Sequence, residues 1–156
     1  MNDRHIRILA TGSILAAVVF LLTALVRVPI PAGYLHLGDA GVFFAAMLLP
    51  AGWAALAAGI GSGLADLIGF PVYTPVTFLI KALAAFVFAL LWRQKGARRY
   101  LAFLAVFIIP AGYFLFELLL FRAYAWADLP LNLLQSAIGA VLAFLSERLT
   151  EGRFSL

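Results

Sequence analysis

Six apolar stretches, set apart by Pro, Gly and clustered basic residues, constrain this chain more than anything else in it. They run from Ile8 to Val26, Asp39 to Leu49, Trp53 to Ile68, Pro75 to Trp92, Leu101 to Phe121 and Leu131 to Leu149. A helix needs about 20 mostly apolar residues to cross a bilayer. Five stretches approach that length, and the second is short enough to enter the membrane only partway. Hydrophobic residues make up 65% of the chain and charged residues 12%, against about 25% charged in a soluble domain. A water-facing surface cannot be built from so few charges, so lipid must cover much of it. The expectation is an all-α, polytopic membrane protein, a six-transmembrane-helix bundle forming one domain over residues 1–156.

The breaks have local causes. Pro29 and Pro31 cannot continue a helix. Pro50-Ala51-Gly52 reads as a tight reversal, and Gly69-Phe70-Pro71 ends the third helix. Thr74-Pro75 reads as an N-cap followed by a first-turn proline, and Asp128 with Pro130 is expected to open helix six in the same way. The first apolar run follows a charged start but is too long for a signal-peptide core and lacks an A-x-A site, so it reads as a retained helix.

Basic residues fix the orientation. Arg4, Arg7, Arg93, Lys95, Arg98, Arg99, Arg148 and Arg153 all fall on one side of an even number of spans, whereas Arg27 and Arg122 fall on the other. The excess marks the cytoplasmic side and places both termini there. The net charge of +4 forms no patch interleaved with aromatics, which argues against nucleic acid. With no Cys, and only His5 and His36 as histidines, disulfides are excluded and neither a metal site nor a cofactor is expected. There is no P-loop, H-E-x-x-H or G-x-S-x-G, and no base stands near Ser62, so no catalytic residue can be named and an enzyme is not expected. His36 reads as a solvated loop histidine.

With that orientation, polar residues from five helices reach a similar depth near the outer face. Asp39 opens helix two and Asp66 nears the end of helix three. Lys81 lies about 9 Å below the start of helix four, at 1.5 Å per residue. Glu117 shares a face with Tyr113 by four-residue spacing, and Asn132 with Gln135 by three. Charges at such depth are costly and persist when paired, hydrated or bound to something. Pairing of Lys81 with Asp66 or Glu117, and capping by Asp39, are the packing roles to weigh against binding. Tyr73 and Tyr113 are candidates for stacking on a flat ring, whereas Tyr124 and Trp126 read as interfacial belt residues. Small residues recur at four-residue spacing as Gly12–Ala16 and Ser13–Ala17 in helix one, and as Ala55, Gly59 and Gly63 in helix three. Such faces permit close helix approach. In helix three this reads as internal packing; in helix one it can serve a partner protein.

Leu35-His36-Leu37-Gly38-Asp39-Ala40, Gly59-Ile60-Gly61-Ser62-Gly63-Leu64-Ala65-Asp66-Leu67, Pro71-Val72-Tyr73-Thr74-Pro75, Leu79-Ile80-Lys81 and Asn132-Leu133-Leu134-Gln135 ahead of Gly139 follow one another in an order and spacing that resembles the substrate-binding S components of energy-coupling factor (ECF) vitamin transporters. The likeness is greatest to the branch associated with hydroxymethylpyrimidine and pyridoxine-type substrates. It implies six helices in a prokaryotic plasma membrane and one vitamin bound in an outer pocket. Asp39, Asp66, Tyr73, Lys81, Tyr113, Glu117, Asn132 and Gln135 are the expected substrate-binding residues. The resemblance also implies docking through small residues of helix one onto a transmembrane coupling subunit served by two ATPases, with the S component toppling in the membrane to release its cargo. The family's helix-one motif is typically Ala-x-x-x-Ala; here Gly12 and Ser13 open two registers, with Ala16 and Ala17. The alternative is a structural or assembly membrane protein whose buried charges serve helix packing and which binds no small molecule.

Overall fold

The computed structural model describes residues 3–30 and 33–150. Pro31 and Arg153, used above as a helix breaker and a topology signal, lie outside them. Helix α1 (Asp3–Ala24) leads to a two-stranded antiparallel hairpin, β1 (Arg27–Ile30) with β2 (Gly33–His36), then to α2 (Gly38–Leu48) and α3 (Ala51–Gly69). A 3-10 turn (Pro71–Tyr73) runs into α4 (Thr74–Trp92). A longer 3-10 segment (Gly96–Phe107) runs into α5 (Ile108–Leu120), and α6 (Ala123–Thr150) closes the order. Five of these apolar spans are long enough to cross a membrane, and Gly38–Leu48 is not. The polytopic all-helical expectation therefore holds, with the hairpin as an addition. Large apolar side chains such as Leu119, Leu149 and Ile68 point outward, as a lipid-facing surface requires.

Helix α2 explains the organisation. Its 11 residues span only about 16 Å at the usual rise, roughly half the hydrocarbon thickness. It packs against α1, α3, α4 and α6, and most of it is buried, from Gly38 and Asp39 through Phe43 to Met47. A helix surrounded on all sides cannot point a polar residue at water, so Asp39 must find its partner inside. Glycines set the close approaches. A Cβ on Gly139 of α6 would lie 2.7 Å from the Asp39 Cβ, and one on Gly61 of α3 would lie 2.4 Å from the Ala16 carbonyl of α1. At the other end of α2, Arg93 donates to the carbonyls of Ala46 and Leu49, closing the helix with a cation where its dipole favours one.

Three boundaries differ from the sequence expectation. Thr74 is not an N-cap: Tyr73 holds that position, and the Thr74 hydroxyl is buried without a partner. The fifth span begins as 3-10 helix, and Pro110 falls in the first turn of α5. The largest difference is in α6, which starts at Ala123 and carries Asp128 and Pro130 within it. The chain reverses at Arg122, whose φ of 45° is left-handed. A proline two turns into a membrane helix frees one carbonyl, a loss such helices tolerate.

Candidate functional site

The α6 extension decides the site. Tyr124, Asp128, Asn132 and Gln135 follow one another at intervals of four, four and three residues, hence on one face. All four line a cavity of about 140 Å3, with Asp66, Phe70, Tyr73, Tyr113 and Glu117 on the other side and Tyr34, Leu35 and His36 of β2 above. Six of the eight residues expected from sequence meet here: Asp66, Tyr73, Tyr113, Glu117, Asn132 and Gln135. Trp126 is 65% exposed, as a belt residue should be. Tyr124, expected in that belt, is half-buried and faces the cavity instead.

Asp39 and Lys81, the other two, do not line the cavity. They form an ion pair beneath it, 0% and 1% exposed. Lys81 was expected to pair with Asp66 or Glu117; it takes Asp39 because α2 begins deep in the bundle, level with the second turn of α4. Asp39 likewise makes no capping hydrogen bond for α2. Its second carboxylate oxygen accepts from Gln135 Nε2 at 3.5 Å, and the Lys81 ammonium lies 5.2 Å from the centre of the Tyr113 ring. This layer is charge-balanced and closed.

Above it runs a chain of hydroxyls. Thr77 donates to Asp66 Oδ2 at 2.5 Å and lies 2.8 Å from the Tyr113 hydroxyl. A threonine has one proton to give, so Tyr113 donates to Thr77. Tyr34 donates to Asp66 Oδ1 at 2.9 Å. Both Asp66 oxygens therefore have donors. Asn132 donates to Asp128, and Tyr73 donates to Glu117 Oε1 at 3.3 Å. Glu117 Oε2 is buried with no donor at all.

The hairpin forms the roof, and sequence reading missed it. Arg27 donates to the carbonyls of Thr23 at 2.9 Å and Ala65 at 3.2 Å, joining the ends of α1 and α3. Its guanidinium lies 4.3 Å from the Tyr34 ring centre. His36 is not a solvated loop residue. Its backbone N–H donates to Gln135 Oε1 at 2.9 Å, and its Nδ1 accepts from the Gly38 N–H at 3.0 Å. Burial, opposed by Asp39 and reinforced by Lys81 and Arg27, pulls its pKa down to about 4, so the ring is neutral at neutral pH. Burial, then the charge of Asp66, pushes the Tyr34 hydroxyl up, keeping it a donor. The available signal was position: Tyr34 and His36 stand five and three residues before a buried aspartate.

The small residues of helix one divide by face. Gly12 is buried against Trp53 and Leu49, and Ala16 meets α3 at Gly61. Ser13 and Ala17 face outward. All four border one apolar groove between α1 and α3. In α3, Gly59 packs on Phe78 of α4, the internal role expected of it. Among the described residues, no group of three or more His, Asp or Glu converges to hold a metal.

A family model described as the S component of ECF-type riboflavin transporters matches residues 4–148. A Pyrococcus woesei protein described as an uncharacterised protein in the gap 3′ region is 40% identical over 80 residues, a stretch covering 50% of this chain and 53% of that relative. The match thus spans about half the length of that curated relative.

Proposed function

Because the chain belongs to the ECF-type riboflavin transporter S component family, we propose that it is the vitamin-binding subunit of an ECF importer in a prokaryotic plasma membrane, and that its cargo is a single-ring heteroaromatic vitamin or precursor of the vitamin B6 or hydroxymethylpyrimidine type. The observation that carries the cargo reading is the cavity: about 140 Å3, walled by tyrosines and placed under a roof of hairpin residues. A cavity of roughly 150 Å3 accommodates benzene, so this one suits one substituted six-membered ring better than a three-ring flavin. Tyr73 and Tyr113 offer ring faces, and Glu117, Asn132 and Gln135 offer the few placed polar groups that such sites use.

In this reading the energy comes from a transmembrane coupling subunit and two ATPases. The outward Ser13–Ala17 register supplies the small-residue face that lets a coupling helix approach closely, while Gly12 and Ala16 hold α1 to α3. Thermal-shift titration of the purified protein with B-group vitamins and their precursors tests the proposal. Ligand at 100 times its Kd stabilises by about 2.7 kcal/mol. Stabilisation by a single-ring compound supports the assignment, stabilisation by riboflavin alone rejects the cargo, and no stabilisation by any of them rejects the binding function. The packing-only alternative is favoured at one place, the Lys81–Asp39 pair, which is enclosed and complete without a ligand.

A further inference from the structure

One wall of the cavity carries an unfilled valence. Glu117 is 2% exposed, and its Oε2 has no donor. Asp128 lines the same cavity. A carboxylate oxygen accepts and does not donate, so the free Oε2 calls for a donor. Among the described residues, no Lys or Arg lines the cavity. Lys81 is committed to Asp39 below, and Arg27 is engaged with the Thr23 and Ala65 carbonyls behind Tyr34. Asp66, the third acid in the wall, already has two donors. Tyr73 donates to the other Glu117 oxygen at 3.3 Å, Tyr124 lines the same cavity, and aromatic faces attract cations. A buried carboxylate oxygen without a donor, in a wall of acids and aromatics, is the complement of a protonated nitrogen.

We infer that Glu117 and Asp128 form the recognition point for a positively charged, N–H-bearing nitrogen of the cargo, so that the protein prefers an amino-bearing heterocycle to its hydroxyl-bearing counterpart. The inference rests on the substrate-binding reading above and adds the chemical class of the substrate. A site built to pair with a donor strongly rejects an analogue that leaves its buried groups unpaired.

The test uses matched pairs that differ at one group: pyridoxamine against pyridoxine, and 4-amino-5-aminomethyl-2-methylpyrimidine against 4-amino-5-hydroxymethyl-2-methylpyrimidine. Each is titrated calorimetrically into the full chain in nanodiscs. In a pair that binds, the amino member is expected to bind at least about tenfold more tightly, as charged hydrogen bonds allow. The Glu117→Gln variant is expected to bring that ratio close to one. Asp128→Asn serves as the second variant should Glu117→Gln fail to fold, and the wild-type ratio decides without either. Equal or tighter binding of the hydroxyl members overturns the inference and leaves the vitamin-binding reading standing. A ratio unchanged in both variants overturns the assignment to these two acids. Failure of all four compounds to bind overturns the single-ring reading and the inference with it.

Discussion

Two acidic layers lie one above the other in this bundle, and they have opposite character. In the lower layer Asp39 meets Lys81, with Gln135 completing the carboxylate, and no charge is left over. In the upper layer Glu117 and Asp128 line the cavity, and among the described residues no Lys or Arg lines it with them. Asp39 and Glu117 are both 2% exposed or less, so burial of the acid does not separate the layers. What separates them is whether the protein supplies the counter-charge itself. A closed pair holds helices together; an open one has a place for something that arrives.

The sharpest way to break this contrast is to open the closed layer. Lys81→Met should cost about 3–5 kcal/mol, because it strands Asp39 in the interior. Combining it with Asp39→Asn should recover most of that loss, since removing both charges of a buried pair is often close to neutral. Denaturant titration in detergent measures both.

Next in size is Gly139→Ala. Its Cβ would meet Asp39 at 2.7 Å and the backbone of Ala40 at 2.9 Å, so α6 must shift from α2, an overpacking cost of about 1–3 kcal/mol. Thermal denaturation reads this, and a variant as stable as wild type would show that the α2–α6 contact is looser than described.

Tyr34→Phe should cost about 1 kcal/mol by removing one donor from Asp66, without disturbing Lys81. The same variant should bind pyridoxamine more weakly by a smaller factor than Glu117→Gln does, as calorimetry can show.

A separate effect is in pH. The folded His36 pKa is about 4, below the ordinary value near 6.5. Between those values the unfolded chain holds a proton that the folded chain refuses, so stability should fall as pH drops from about 6.5 to about 4 and then level off. A His36→Gln variant should lose this part of the slope in melting curves taken across that range.

Much of this fold is written in the sequence, because spanning helices follow from apolar length alone. The apolar core of each long helix and the reversal at Pro50 were legible in this way. The hairpin was not, since its paired segments are four residues each and contain a proline, which reads as loop. Pro130 hid the true start of α6, because proline is ordinarily a boundary; with it went Tyr124 and Asp128, the two cavity residues that lie in the extra turns. The polar depth of Asp66, Tyr113, Glu117, Asn132 and Gln135 was legible from helix rise. The partner of Lys81 was not. Three carboxylates stood at comparable depth, and only the recessed start of α2, a tertiary fact, selects Asp39.

The contrast between the layers is tested most directly by comparing pyridoxamine binding in two variants, the Asp39→Asn/Lys81→Met pair and Glu117→Gln, by calorimetry under one set of conditions. The double variant should bind within a few-fold of wild type, because it neutralises a layer beneath the cavity, and Glu117→Gln should lose about tenfold or more. Loss of binding in the double variant with full retention in Glu117→Gln would place ligand recognition in the lower layer and contradict the account.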